Sequence, residues 1–183
     1  MIKFESILLR AVRESDAESY YKWINDSETN FYRGLYPPTS EIVAQTWVKE
    51  QLHNTTEKVS LAIEKNDDDK TSTAIGFVGL RGACPRSRRA EIWIYVGDKS
   101  QWGHGYGLSA IKAVCQYGFT EMNLHRIWLE CDPEHTAGVR CYEKVGFVRE
   151  GTQRDAYFRR GAFRNTIIMG LLKPDWEKTS LQK

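Results

Sequence analysis

A single α/β (α+β) domain built around one mixed sheet is the fold this sequence predicts. Three observations point to it. Short apolar runs of strand length alternate with stretches of helical apolar spacing along the whole chain. Some strand-to-strand intervals are of hairpin length, while others have room for a helical crossover. A length of 183 residues with 41% apolar and 12% aromatic content suits one core with no need of disulfides or a structural metal.

Taken in order, Ile7–Val12 is a short apolar run that reads as a strand. Ser15, with Glu18 three residues on, has the form of a capping box, and a helix should follow to Asn25 with Tyr20, Tyr21, Trp23 and Ile24 on its apolar side. Asp26–Thr39 is turn-rich and aromatic, carrying Phe31, Tyr32, Tyr36, Pro37 and Pro38. A second helix starts near Ser40, with Ile42, Val43, Thr46, Trp47 and Leu52 close to helical spacing. Val59–Glu64 and Ala74–Leu80 read as a hairpin across the polar turn Asn66–Lys70. A loop with Arg81, Pro85, Arg86, Arg88 and Arg89 leads to a strand at Ala90–Val96. The segment Gly103-His104-Gly105-Tyr106-Gly107 precedes a helix over Ile111–Met122. Arg126–Cys131 reads as a strand and Thr136–Val145 as a helix, and Phe147–Asp155 and Thr166–Leu172 close the sheet, joined through Phe158–Phe163. The sum is about seven strands and about four helices around one sheet.

The charge balance is even, with 26 Lys plus Arg against 24 Asp plus Glu and a net +2, so a dedicated nucleic-acid or membrane-surface binder is not expected. The four cysteines (Cys84, Cys115, Cys131, Cys141) form no Cys-x-x-Cys pair and the four histidines show no zinc-ligand spacing, so no metal is expected and the thiols read as reduced core residues. The N-terminus lacks the basic stretch and apolar run of a signal peptide, and no run reaches membrane-spanning length. The cytoplasm is the expected location.

Glycines just ahead of a helix make a ready anion site. The first amides of the helix lack intrahelical partners, its dipole favours negative charge, and glycine lets the backbone approach a diphosphate. Gly103, Gly105 and Gly107 have that placement, although glycines alone are equally consistent with an ordinary turn. Gly105-Tyr106-Gly107-Leu108-Ser109-Ala110 also has the G-x-G-x-x-A form of a dinucleotide fingerprint, with Glu130 at the end of the next strand as a ribose-binding acid. Against this, Gly97–His104 separates the strand from the first glycine, and that strand is the third of a hairpin-linked run. Too little chain follows Glu130 for the second half of a doubly wound sheet.

The segments Glu91–Asp98 and Trp102–Gly107, then Asn123–Ile127, Cys141–Phe147, Arg154–Gly161 and Ile168–Leu172, occur in one order and spacing. Together they resemble the acetyl-CoA-binding core of the GNAT acetyltransferases, over roughly residues 7 to 173, in the branch with ribosomal-protein and spermidine N-acetyltransferases. The resemblance implies a mostly antiparallel GNAT fold, acetyl-CoA as co-substrate, and a small-molecule or peptide amine as acceptor; a homodimer is compatible with it. It implies that Tyr95 and Val96 line the pantetheine arm, and that Trp102, Gly103, His104, Gly105, Tyr106, Gly107 and Leu108 hold the diphosphate. His135 stands where a coenzyme-contacting Asn is common; imidazole can make that hydrogen bond in either sense. Gly138 replaces a small Ala or Ser of the family, at about 1 kcal/mol of helix propensity. Trp93 replaces a Gly of many relatives and narrows the acceptor side.

Amine acetylation needs a proton acceptor, oxyanion donors and a donor to the leaving thiolate. The resemblance makes Tyr142 that donor and the amide near Val96 the oxyanion contact. A phenol near pKa ~10 does not pass its proton downhill to a thiolate near ~8.5, so Tyr142 is expected to act through a strong hydrogen bond, with transfer as the C–S bond breaks. Glu91 is the base candidate, on the strand facing the reacting centre; a surface or ion-paired Glu on a half-buried strand accounts for it equally well. A carboxylate near ~4.3 needs desolvation, a water relay or an acceptor of lowered pKa, such as an α-amine near ~7.7. An acyl-CoA-binding sensor that has lost the chemistry is the rival from another class, and retention of both Tyr142 and Glu91 counts against it. A dinucleotide-binding oxidoreductase is the third reading.

Overall fold

The computed structural model describes residues 1–32, 38–66 and 73–180. Tyr36, Pro37 and the turn residues Asp67 to Lys70 lie outside the described residues. The elements run β1 (Ile2–Phe4), β2 (Ile7–Ala11), α1 (Asp16–Ile24), α2 (Glu41–Gln51), β3 (Val59–Lys65), β4 (Gly76–Cys84) and β5 (Arg89–Val96). A single 3-10 turn at Lys99–Gln101 follows, then α3 (Tyr106–Thr120), β6 (Arg126–Cys131), α4 (Thr136–Val145), β7 (Val148–Arg159), β8 (Ala162–Leu172) and α5 (Lys173–Ser180). The strands form one sheet of order β1-β2-β3-β4-β5-β6-β8-β7, in which only the β5–β6 pair is parallel.

Each face of the sheet buries its own core. Ile7, Leu9, Val78, Leu80, Ile92, Ile127 and Leu129 pack under α3, through Ile111, Val114 and Phe119, with Val145 of α4 on the same side. The opposite face carries Ala62, Phe77 and Tyr95 against Tyr20 and Ile24 of α1 and Ala44 and Val48 of α2. Tyr20 stacks on Trp47 at 4.0 Å between ring centroids, and burying a side chain of this size contributes about 1.5–3 kcal/mol. The α1 start is fixed by Arg10, whose guanidinium donates to both oxygens of Asp16 at 2.8 Å and also to Glu64, all three side chains being buried.

The sequence-predicted elements are present, with corrections that have local causes. Ser15 does not cap α1: its backbone is already helical and its hydroxyl makes no cap bond, because Asp16 accepts the Arg13 amide at 2.8 Å instead. Tyr21 lies on the exposed side of α1, while α2 buries Ala44 and Val48 and leaves Ile42 and Val43 exposed. The arginine loop is a tight hairpin, since β4 continues to Cys84 through an irregularity at Arg81/Cys84. α3 begins at Tyr106, so Gly107 sits in its first turn. β7 and β8 run on to meet at Arg160-Gly161, with two register irregularities that hide their alternation. β1 and α5 add an eighth strand and a fifth helix among the described residues. β1 is too short for a period to show, and α5 is polar except for Trp176, which lies against Phe119.

Candidate functional site

The parallel ladder between β5 and β6 holds only for Arg89↔Arg126, Ala90↔Ile127 and Glu91↔Trp128. Beyond it the strands part, and Ile92–Val96 has no ladder partner on the β6 side. A strand edge left this way offers peptide N–H and C=O groups to an extended ligand. Side chains alternate along β5: Ile92 and Ile94 face the α3 side, and Glu91, Trp93 and Tyr95 face the α1–α2 side. Gly97, just past the open end, is required by α1. A Cβ there would lie 2.1 Å from the Trp23 ring, which rests on this backbone.

The glycine segment sits beside that open end. Gly103 and Gly105 have φ of 80° and 83°, the left-handed region that side chains disfavour, and Gly105 is the N-cap of α3. Gly107 approaches Val96 instead, with room for ordinary contact. The first helical bond runs from the Ser109 amide to the Gly105 carbonyl at 3.0 Å. Among the described residues, no backbone N–H from Gly103 to Leu108 donates to a protein acceptor. Six consecutive free amides at a helix start form an anion cradle. Trp102 braces it, its indole N–H donating to the Val96 carbonyl at 2.9 Å. His104 Nδ1 lies 3.0 Å from the Trp102 carbonyl and its ring stacks near Tyr106. Tyr106 and Leu108 pack their side chains on the core, which leaves their amides for a ligand.

Tyr142 of α4 is positioned by packing on Phe147, after the helix stops at left-handed Gly146. Burial pushes its phenol above the ordinary range, and the adjacent Cys131 and Cys141 act in the same direction. Its hydroxyl makes no hydrogen bond among the described residues. Cys131 is pushed up to about 11 by burial, and Cys115 and Cys141 are raised for the same reason, so these thiols stay protonated.

Other expected site residues have different surroundings. The Tyr95 ring belongs to the aromatic core with Tyr20 and Trp23, and its hydroxyl meets Thr29 at 3.4 Å, so only its backbone faces the strand gap. Trp93 folds onto Gly79 and Trp47. The His135 imidazole stacks on Tyr32 at 4.3 Å, toward the α1–α2 loop, and burial lowers its pKa. Glu91 stands at the apex of the gap, but both its oxygens accept from the Arg81 guanidinium, Oε2 at 2.9 Å. Arg88 is likewise used internally, bonding to Asn123.

Glu130 was read from sequence only in its dinucleotide role. By alternation it shares a sheet face with Trp128 and Glu91, and it is exposed; no ion pair holds it among the described residues, although Arg81, the partner of Glu91, also acts on it electrostatically. The second group missed by sequence reasoning surrounds Asp132, at the end of β6. Its Oδ2 accepts from Tyr157 at 2.7 Å and pairs with Arg159 at 2.7 Å, and its Oδ1 accepts the Glu134 amide at 2.8 Å. Burial works to raise the Asp132 carboxyl, but these partners outweigh it and the pKa is lowered. Arg159 lies under Phe31 and Tyr32, 4.9 and 5.4 Å from their ring centres, and so joins the α1–α2 loop to the β7–β8 hairpin. The only sequence signal for this group was its membership in the Arg154–Gly161 segment.

A sheet parted between two parallel strands, next to a helix start with free amides, has the form that an acyl-CoA-dependent acyltransferase requires. The GNAT acetyltransferase domain model matches residues 6–148, and the chain belongs to that family. The chain is 26% identical over 176 residues to the uncharacterized N-acetyltransferase p20 of Bacillus licheniformis, covering 94% of this chain and 96% of that protein. It is 27% identical over 164 residues to the spermidine N(1)-acetyltransferase of Escherichia coli K12, covering 90% and 84%. In fold it matches the spermidine N-acetyltransferase of Vibrio cholerae in complex with CoA and spermine, with a TM-score of 0.82 at 24% identity, covering 94% of this chain and 98% of that one. Acetyltransferases of this fold use acetyl-CoA.

Proposed function

We propose that this chain transfers the acetyl group of acetyl-CoA to a primary amine by direct attack within a ternary complex. The observation that carries the proposal is the convergence of three features: the unpaired β5 edge, the free amides from Gly103 to Leu108, and the unengaged Tyr142 hydroxyl. The amides and the α3 dipole would hold the diphosphate, and the backbone of Tyr95 and Val96 would pair with the pantetheine arm. The thioester supplies an activated acetyl group, so no covalent enzyme intermediate is needed.

The chain's own residues then have three tasks. The Val96 amide would receive the carbonyl oxygen as it gains charge. Tyr142 would donate a hydrogen bond to the sulfur, and its proton as the C–S bond breaks while the C–N bond forms. An acid on the α1–α2 face would take the amine proton, directly or through water. Glu91 would have to leave Arg81 for that task, whereas Glu130 feels Arg81 only at longer range and is hydrogen-bonded to no cation among the described residues. Relatives named for the acetylation of spermidine support a small amine as the acceptor class. No helix among the described residues is long and apolar enough to cross a membrane, and we place the protein in the cytoplasm.

The test is thiol release from acetyl-CoA across peptides, polyamines, aminoglycosides and amino sugars, run beside a thermal-shift measurement. Acetyl-CoA should stabilise the protein and at least one amine should be acetylated. Stabilisation by NAD alone would remove the proposal. Stabilisation by acetyl-CoA with no amine accepted would leave the sensor reading in its place.

A further inference from the structure

Among the described residues, three buried side-chain polar atoms have no hydrogen-bond partner: Asn30 Oδ1, Arg159 Nη1 and Arg164 Nε. All three belong to the α1–α2 loop or the β7–β8 hairpin. Buried polar groups are satisfied almost everywhere in folded proteins, so a cluster of orphans in one corner marks a place built for something else. The Asn30 orientation is fixed, because its amide nitrogen donates to the Trp23, Ile24 and Asp26 carbonyls. Arg159 is 3% exposed, and its guanidinium lies among the rings of Phe31, Tyr32 and Tyr157.

The charges of this corner have a definite sign. Arg159 and Arg164 pair with Asp132 and Glu134, and the exposed Arg160 lies over the Phe31 ring, so these five side chains leave one positive charge. Among the acids near the opening, Glu91 pairs with Arg81, and Asp132 and Glu134 pair with the hairpin arginines, while Asp26 and Glu28 share Lys99 and keep one negative charge between them, with Glu130 the further acid outside an ion pair among the described residues. A polyamine needs several free carboxylates. A monoanion, by contrast, finds guanidinium N–H groups without partners, aromatic walls, and the Asn30 carbonyl oxygen for an N–H of the same ligand.

We infer that this corner is an anion subsite of the acceptor site, and that the acceptor is a small primary amine bearing a carboxylate, not a polyamine. The inference rests on the proposed acetyl transfer. Asp132, which holds Arg159, directly follows the end of β6, the strand that parts from β5 beyond Trp128, so the subsite lies at the open end of the strand gap.

The experiment compares amino acids with their carboxamides as acceptors for the full chain, by kcat/KM with acetyl-CoA. The carboxamide has the less basic amine, so intrinsic reactivity favours it and a preference for the acid reports binding. The acid should win by at least about tenfold, mainly through KM, since one charge-assisted hydrogen bond is worth that much. The acid-to-carboxamide ratio should fall toward one in Arg164→Gln and in Arg159→Lys; a merely structural role would lower both substrates together and leave the ratio standing. A ratio near one in the wild type, or one that survives both variants, overturns the subsite, as does spermidine outperforming every acid-bearing amine. O-Phosphoethanolamine against ethanolamine forms a further arm, and preference for the phosphate over every carboxylate overturns the monoanion assignment. Should no amine turn over, the transfer reaction itself fails, and calorimetry on the CoA-loaded protein decides the subsite. N-acetylated amino acids binding more tightly than their carboxamides support it, and equal binding refutes it.

Discussion

Replacing Tyr142 with Phe removes one oxygen and no protein–protein hydrogen bond, because the hydroxyl has no partner among the described residues. The ring keeps its edge contact with Phe147, 6.0 Å between centroids. Stability should therefore change by less than about 0.5 kcal/mol, which moves Tm by about 1–2 °C in a chain of this size. The rate should respond very differently. A hydrogen bond to a charged group is worth about 1.5–3 kcal/mol, so losing it at the departing sulfur lowers kcat by roughly 10- to 150-fold. Proton donation in the same step takes the loss toward the upper end or beyond it. Burial holds the phenol above its ordinary range, so Tyr142 stays protonated throughout the working range and the defect should be flat across pH 6–9. Thiol release at saturating acetyl-CoA reads kcat, and calorimetry checks that coenzyme affinity is retained. A Tyr142→Phe protein within twofold of wild type at every pH would refute the assigned role, and one that lost coenzyme binding would show that Tyr142 serves structure instead.

Gly105→Ala forces a side chain to φ 83°, at about 1–3 kcal/mol, and the loss should appear mainly as weaker acetyl-CoA binding by calorimetry. Glu130→Gln should lower kcat by about 10²-fold or more if it takes the amine proton, while Glu91→Gln should do less because Arg81 already occupies that carboxylate; the reverse order in steady-state kinetics would return the role to Glu91. His135 has a folded pKa lowered by burial, so the unfolded chain binds its proton more readily. The stability it supports is present above about pH 6.5 and is lost as pH falls from there toward the folded value. Urea titrations at pH 5, 6 and 7.5 should show this slope in wild type and a shallower one in His135→Phe.

Much of the fold could be read from the chain because its strands and helices carry their own periods. The glycine cradle was legible for a stronger reason: glycine is the residue that accepts the φ found at positions 103 and 105. What stayed hidden depends on partners far apart in sequence. Glu91 read equally as a base candidate or an ion-paired surface acid, because Arg81, ten residues earlier, comes opposite it only through the β4–β5 register. The resemblance placed Tyr95 along the pantetheine arm, but alternation cannot say which face of a doubly covered strand its ring joins; the ring lies in the aromatic core with Tyr20 and Trp23. Glu28 is held by Lys99 across 71 residues, a pairing that no local pattern announces. In each case the residue type was visible, and the partner that decides its role was not.

His135 and Gly138 show how two departures from the family pattern reduce to one contact. As isolated substitutions, one removes an expected coenzyme ligand and the other weakens a helix. In the folded chain a Cβ at position 138 would lie 2.6 Å from His135 Nδ1, so the larger ring at 135 needs glycine one turn on. The ring so accommodated is the one that stacks on Tyr32, whose hydroxyl also reaches the Glu134 carbonyl at 3.3 Å. The helix propensity given up at Gly138 thus fastens the α1–α2 loop to the N-terminus of α4, the helix that carries Tyr142. Gly138→Ala should therefore not behave as a stabilising helix substitution. It must push the imidazole off its stack, and the loop wall holding Asn30 and Phe31 should loosen with it, raising acceptor KM more than it changes coenzyme affinity. An alanine variant more stable than wild type with unchanged acceptor KM would show that the ring has room to move, and that the two departures are independent after all.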